Sequence, residues 1–262
     1  MLIGVSSACL YPMKTESAVE TLLLTGVKNL EIFLNSYQEL QPDFLRSLKN
    51  QLDASGARVL SVHPFTSAFE HTLFFSDYSR RIEDGMQLYR HFFHAAQMLG
   101  SPLLVLHGSR KKIPILLTAE QYAQRFEQIF LLGMEYGVIT AQENVVDYQS
   151  QDPEFIFQLR SLLGSHIRFV LDCKQCRRAN CSVEEMARAM GEGLLHLHLS
   201  DHNGKEDCML PGRGVFDFSV FHNLCSIYCP NLQSAVLELY QQSFSSVKEL
   251  SDAYSFLLQV FS

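Results

Sequence analysis

Eight short apolar stretches, each followed by a helical pattern, constrain this chain more than any other feature. They fall at residues 2–6, 30–34, 59–63, 103–107, 139–143, 167–172, 195–200 and 235–239. Most are apolar on both faces, as expected of parallel strands covered on both sides. The intervening helices carry start and stop signals. Ser17/Glu20, Thr118/Gln121, Ser182/Glu185 and Ser246/Glu249 have capping-box spacing. Gly26, Gly56, Gly100, Gly137, Gly164 and Gly191 fall where helical patterns run out, and Pro42 and Pro153 where a first turn tolerates proline. Successive strand–helix units of this number predict an α/β fold, a closed (β/α)8 TIM barrel in a single domain over residues 1–262. The rival is an open doubly wound sheet. It would place a glycine-rich phosphate loop after the first strand, where this chain has Ser6-Ser7-Ala8-Cys9.

Composition narrows the partners. The formal charge of −7 argues against nucleic acid, whose binders carry a basic footprint. No apolar run approaches the roughly 20 residues of a membrane span, so no membrane partner is expected. Seven cysteines without regular spacing, and a start without the basic residues of a secretion signal, predict a reducing, cytoplasmic setting.

The chemistry lies at the strand ends. His63, His107, Glu143, Asp172, His198 and Glu238 stand at or near the C-terminal ends of strands three to eight. In a barrel these ends converge on one mouth. Any one of them alone reads as a packed histidine or a helix cap. Together they form a donor set for a divalent ion, with Mn or Zn favoured and Mg or Co also compatible. The richest stretch, residues 194–214, places His196 and His198 on one face of strand seven, since i and i+2 point the same way. His196 lies two residues deeper and is expected to orient a ligand rather than be one. Glu31 falls at the start of strand two, the end away from the mouth, and is not assigned a role.

The motifs Ser-Val-His63-Pro, Leu-His107-Gly-Ser, Gln-Glu143-Asn, Leu-Asp172, His-Leu-His198-Leu-Ser-Asp, Leu-Pro-Gly-Arg-Gly-Val-Phe-Asp217 and Leu-Glu238 run in order along nearly the whole chain. In this the chain resembles the xylose-isomerase-like TIM barrel superfamily of sugar and sugar-phosphate isomerases and epimerases, which also holds a metal-dependent apurinic endonuclease. The resemblance implies one metal on Glu143, Asp172, His198 and Glu238, with Glu143 and Glu238 moving protons. It also implies a second metal on His63 and His107 with Glu143, as in the endonuclease. The endonuclease's third metal needs histidines where this chain has Gln175 and Cys208, with Asp207 available for its aspartate. That departure favours proton transfer beside a carbonyl over phosphodiester cleavage, which relies on closely spaced metals.

The expectation is therefore a divalent-metal-dependent sugar or sugar-phosphate isomerase or epimerase acting on a small-molecule sugar. Gln175, Lys205 and Arg213 are its candidate substrate contacts, and a homo-oligomer is compatible with the sequence. The alternatives are a metal-dependent lyase or dehydratase on a keto-polyol, an apurinic-endonuclease-like phosphodiesterase, and a non-catalytic metal-binding protein. Phe65, Phe69, Phe74 and Phe75 are expected to wall a substrate pocket or seal a subunit interface. Asp217 is expected to cap a helix. Asp172 is expected to start a loop facing the mouth, and Cys173, Cys176 and Cys181 after it lack a fourth ligand at zinc spacing and are not read as a metal site.

Overall fold

The structure, a computed structural model, describes residues 1–112 and 116–261. Its strands are β1 Leu2–Ser6, β2 Asn29–Leu34, β3 Arg58–Pro64, β4 Leu103–Leu106, β5 Ile139–Glu143, β6 Arg168–Asp172, β7 Leu194–Leu199 and β8 Ser234–Leu237. Each pairs in parallel with its neighbours in sequence, and β8 closes on β1, Val5 lying opposite Leu237. The predicted (β/α)8 barrel is therefore the observed one. Its helices are α1 Thr15–Leu24, α2 Pro42–Ala54, α3 Glu70–Leu73, α4 Ser79–Leu99, α5 Ala119–Glu135, α6 Pro153–Leu163, α7 Cys173–Arg178, α8 Val183–Met190, α9 Phe218–Tyr228 and α10 Val247–Val260.

Alternation along the strands divides the core in two. Outward residues such as Leu30, Ile32, Leu104, Leu106, Leu197 and Leu237 pack with the helices in one large cluster. A small cluster of Leu103, Val105, Ala141, Val170 and Leu195 packs separately from it. Among the described residues no helix is long and apolar enough to cross a membrane.

The local signals fared unevenly. Thr118/Gln121 and Ser182/Glu185 form complete capping boxes. Ser246 accepts from the Glu249 amide as expected, but Glu249 turns back to the Ser245 amide instead of closing a box. Ser17/Glu20 lies inside α1, which starts at Thr15, whose hydroxyl donates to Glu39 and to the Phe33 carbonyl. Asp217 caps α9 by accepting from the Val220 amide. The segment after Asp172 is no open loop: Asp172 accepts from the Gln175 amide and starts α7 at once.

The loop after β7 is shaped by Asp201, which is buried. Its Oδ1 accepts from the amides of His202 (2.8 Å) and Phe216 (2.9 Å), and its Oδ2 from those of Gly212 (3.0 Å) and Gly214 (2.9 Å). A Cβ at Gly214 would stand 2.3 Å from both Asp201 Oδ1 and the His202 carbonyl, so glycine lets the loop fold onto that carboxylate. Asp201→Ala should lower stability by about 2–4 kcal/mol, because several amides lose their acceptor together. The urea midpoint of the variant measures this; a midpoint equal to that of the parent would show that water replaces the carboxylate.

Candidate metal centre

β6, β7 and β8 set the heart of the site. Asp172 and His198 are partners across β6 and β7, so their side chains meet at the same height. Glu238 follows β8 directly, its amide donating to the Leu199 carbonyl. Glu143 ends β5. Glu143, Asp172 and His198 are buried, and Glu238 is part-exposed toward the mouth.

Among the described residues three groups bring potential metal-donor atoms within 4.8 Å of one another: Glu143/Asp172/His198/Glu238, His63/His107/Glu143, and Glu31/His196/His198. The first two are the sets read from the strand ends, and they share Glu143. The fit of the first to a cation can be tested on its polar atoms. Glu143 Oε2, Asp172 Oδ2 and His198 Nδ1 are buried without a hydrogen-bond partner. They nonetheless crowd oppositely charged or polar neighbours. His198 Nδ1 is 3.5 Å from Glu143 Oε1 and 3.4 Å from Glu238 Oε2, too long or poorly angled for hydrogen bonds. Buried polar atoms without partners are rare in native proteins. Asp172 Oδ2 is ion-paired with Lys174 at 3.2 Å, and Glu143 turns Oε2 to His107 at 2.9 Å and Oε1 to His198. Two carboxylates and an imidazole gathered this closely, each keeping a buried atom outside any hydrogen bond, suit a hard or borderline divalent ion.

The second group converges just as closely. His63 Nε2 and His107 Nε2 are 3.1 Å apart, and Glu143 Oε2 is 2.9 Å from the latter and 3.8 Å from the former. Glu70 holds this arrangement from beneath. It is buried, and its Oε2 accepts the amides of His107 and Gly108, both at 2.7 Å, while Tyr89 donates to its Oε1 at 2.5 Å. Gln142 adds contacts to the carbonyls of Leu106 and His107. Gly108 has φ +85°, and a Cβ there would strike the Tyr122 hydroxyl at 1.8 Å.

Below the mouth lies a group absent from the sequence reading. Glu31 does not point away from the site. It is inward-facing and fully buried, and its Oε2 lies 3.0 Å from His198 Nε2 and accepts from Ser61 Oγ at 2.7 Å. His196 sits alongside, 3.3 Å from Ser61 Oγ and with its Nδ1 2.7 Å from Ser234 Oγ. This is the deeper, orienting place expected for His196.

Charge follows geometry. Burial would raise Glu143, but His107, His198 and His63 overcome it and hold the carboxyl well below the usual range. Burial likewise works against Glu238 and Glu31. Lys174 and His198 keep Glu238 well below the usual range, and His198 takes Glu31 down to about 2. Asp172 is pushed up to about 7 by burial, which Lys174 only partly offsets. His196 falls to about 3 through burial and the neighbouring His198.

The other candidates are placed less centrally. The Gln175 side-chain oxygen accepts from the Val146 amide, so it braces the loop after β5. Cys208 accepts from the Ser243 hydroxyl, and Asp207 pairs with Arg178. None of these three belongs to the metal-donor groups found among the described residues. Lys205 is exposed, and Arg213 lies with Glu249, Asp252 and Phe256 in a separate cleft of about 210 Å³. Neither lines the cavity at the mouth. That cavity, about 440 Å³, is walled by Phe33, Phe65, Leu239 and Tyr240, with Lys174 and Glu238 as its charged groups. Of the four phenylalanines, Phe65 walls the pocket as expected, while Phe74 and Phe75 are core and Phe69 is exposed. Cys173 and Cys176 are buried, and their thiols are pushed well up, which suits packing rather than reactivity.

The family model described as "Xylose isomerase-like TIM barrel" matches residues 20–227. The chain belongs to that family. Among curated relatives, an uncharacterised protein of Mycobacterium leprae (strain TN) is 25% identical over 238 residues, covering 81% of this chain and 80% of its own length. One from Mycobacterium bovis is 26% identical over 239 residues, with 81% and 80% covered. Solved structures share the fold at lower identity. A D-tagatose 3-epimerase-like protein superposes with TM-score 0.79 at 19% identity, covering 99% of this chain and 97% of its own. The D-psicose 3-epimerase of Clostridium cellulolyticum H10 gives 0.80 at 15%, with both chains fully covered. An IolI protein with a bound zinc atom gives 0.79 at 15%, covering 100% and 98%. These likenesses establish the architecture, and within this xylose isomerase-like barrel the chemistry rests on its own residues.

Proposed function

We propose that this chain is a divalent-metal-dependent sugar isomerase or epimerase, with Glu143, Asp172, His198 and Glu238 as ligands and Glu143 and Glu238 as the proton-transferring pair. The observation that carries this reading is the gathering of donor atoms of Glu143, Asp172, His198 and Glu238 within 4.8 Å of one another, three of these side chains buried and Glu238 at the cavity wall. A bound divalent ion, with Mn or Zn favoured, supplies Lewis-acid polarisation of a substrate carbonyl. The protein's own residues do the rest. Glu238, facing the cavity, takes the proton from the carbon beside the carbonyl, and Glu143, the more buried carboxyl group, returns one after first receiving a proton from solvent or a substrate hydroxyl. Phe33, Phe65 and Tyr240 exclude water around them. His63 and His107 offer, with Glu143, a second nest for a metal. The epimerases that share this fold support the sugar class.

The test is deuterium incorporation from D₂O into a panel of ketoses and ketose phosphates with Mn²⁺ or Zn²⁺ present. Exchange is expected at a carbon beside the carbonyl. Glu238→Gln should slow it by roughly 10²–10⁴-fold, the usual contribution of a positioned acid or base. Exchange that survives that substitution undiminished removes Glu238 from the mechanism.

A further inference from the structure

Lys174 is the second residue of α7, and its side chain returns over the barrel mouth. It is only 4% exposed, rare for lysine unless it is paired. Its Nζ lies 2.9 Å from Glu238 Oε2 and 3.2 Å from Asp172 Oδ2. Both carboxylates belong to the four-residue metal-donor group, and Asp172 Oδ2 makes no hydrogen bond beside this ion pair. The ammonium thus lies against oxygens that a divalent ion would also need. In the same position the ammonium lies over the Tyr240 ring, 5.0 Å from its centre, which forms the adjoining cavity wall. That ring is held by Arg178, which donates to its hydroxyl at 2.7 Å and is itself tied to Asp207. A cation over an aromatic face is favourably placed, so Lys174 keeps a favourable neighbour when its carboxylates are taken.

We propose that Lys174 is a resident cation of the centre, which holds Asp172 and Glu238 in the metal-free protein and competes with the divalent ion for their oxygens. The centre therefore binds its metal loosely and exchangeably, and the protein stays folded without it. The inference rests on the metal-site reading above and adds a residue that the reading does not contain. Charge is the operative property: an ammonium a few ångströms from a divalent ion repels it across a medium of low dielectric, and the same repulsion is absent when the ion is absent.

The experiment strips the full-length protein with a chelator and titrates it with Mn²⁺ by calorimetry, for the parent, Lys174→Met and Lys174→Arg. Lys174→Met should bind Mn²⁺ about tenfold more tightly or better, and Lys174→Arg should stay within about threefold of the parent. Metal-free Lys174→Met should also melt at a lower temperature than the metal-free parent, and gain more from saturating Mn²⁺. If Lys174→Met does not fold without metal, Lys174→Gln is titrated in its place against the same expectations. A folded neutral variant that binds Mn²⁺ no more tightly than the parent overturns the inference and leaves the metal reading intact. If neither parent nor variant binds Mn²⁺ or Zn²⁺, the metal reading itself falls and takes the inference with it.

Discussion

Replacing Glu143 with alanine should remove bound divalent metal and abolish turnover together. Glu143 is the one residue common to the two groups at the barrel mouth, His63/His107/Glu143 and Glu143/Asp172/His198/Glu238. Its loss leaves the imidazoles of His63 and His107 facing each other at 3.1 Å without the carboxylate beside them, and His198 without one of its two mouth-side neighbours. Losing a partner outside the ligand shell already costs about 10–100-fold in metal affinity, so losing a shared ligand should cost more than about 100-fold. Metal content after dialysis, measured by elemental analysis, reads the first effect, and exchange of deuterium into a responsive ketose reads the second. Glu143→Gln keeps the side chain's volume and serves as the folding control. A Glu143→Ala protein that keeps a full equivalent of tightly held metal would mean that the ion sits elsewhere, and the proposed ligand set would have to be abandoned.

The parts of this site that were legible in the sequence share one property. Glu143, Asp172, His198 and Glu238, with His63 and His107, lie at the same end of successive apolar strands, and parallel pairing in a closed barrel carries that register into space. What escaped was depth and direction. Glu31 stands early in β2, and position along the strand suggested the far end of the barrel. The β2–β3 register shifts between Leu30 and Glu31, setting Glu31 against Ser61, and the long side chain then spans the layer up to His198. A signal was available in Asn-Leu-Glu31-Ile-Phe-Leu: a carboxylate inside a strand buried on both faces costs several kcal/mol without a partner, so some cation or donor had to meet it. Lys174 was hidden by a different assumption, that an open loop follows Asp172. The chain turns straight into α7 instead, and helical Cα–Cβ bonds tilt toward the N-terminus, so a first-turn lysine is sent back over the mouth. Glu70 sits in α3, within the segment between β3 and α4, and supports His107 from a distance of 37 residues in sequence; local patterns carry no trace of such a contact.

Removing Glu31 should have the largest effect of any residue that touches neither substrate nor metal in the proposed centre. The chain of contacts runs from Ser61 Oγ to Glu31 Oε2 at 2.7 Å, and from the same oxygen to His198 Nε2 at 3.0 Å, leaving His198 Nδ1 turned to Glu143 and Glu238. A carboxylate that takes the proton on one ring nitrogen fixes which nitrogen is offered to a metal and raises its basicity. Glu31→Ala strips that acceptor from a fully buried imidazole and a buried hydroxyl, and breaking a buried charged pair from one side typically costs about 3–5 kcal/mol. Glu31→Gln retains an oxygen for Ser61 and His198 but loses the charge. It should fold with a smaller penalty and still bind Mn²⁺ about 10–100-fold more weakly than the parent. Nitrogen NMR of labelled histidine separates positioning from bulk stability. In the parent the His198 proton should reside on Nε2 when Zn²⁺ is bound, and in Glu31→Gln that preference should weaken even though the fold is intact. Should Glu31→Gln match the parent in both metal affinity and tautomer, Glu31 would be a packing residue whose charge the centre does not use.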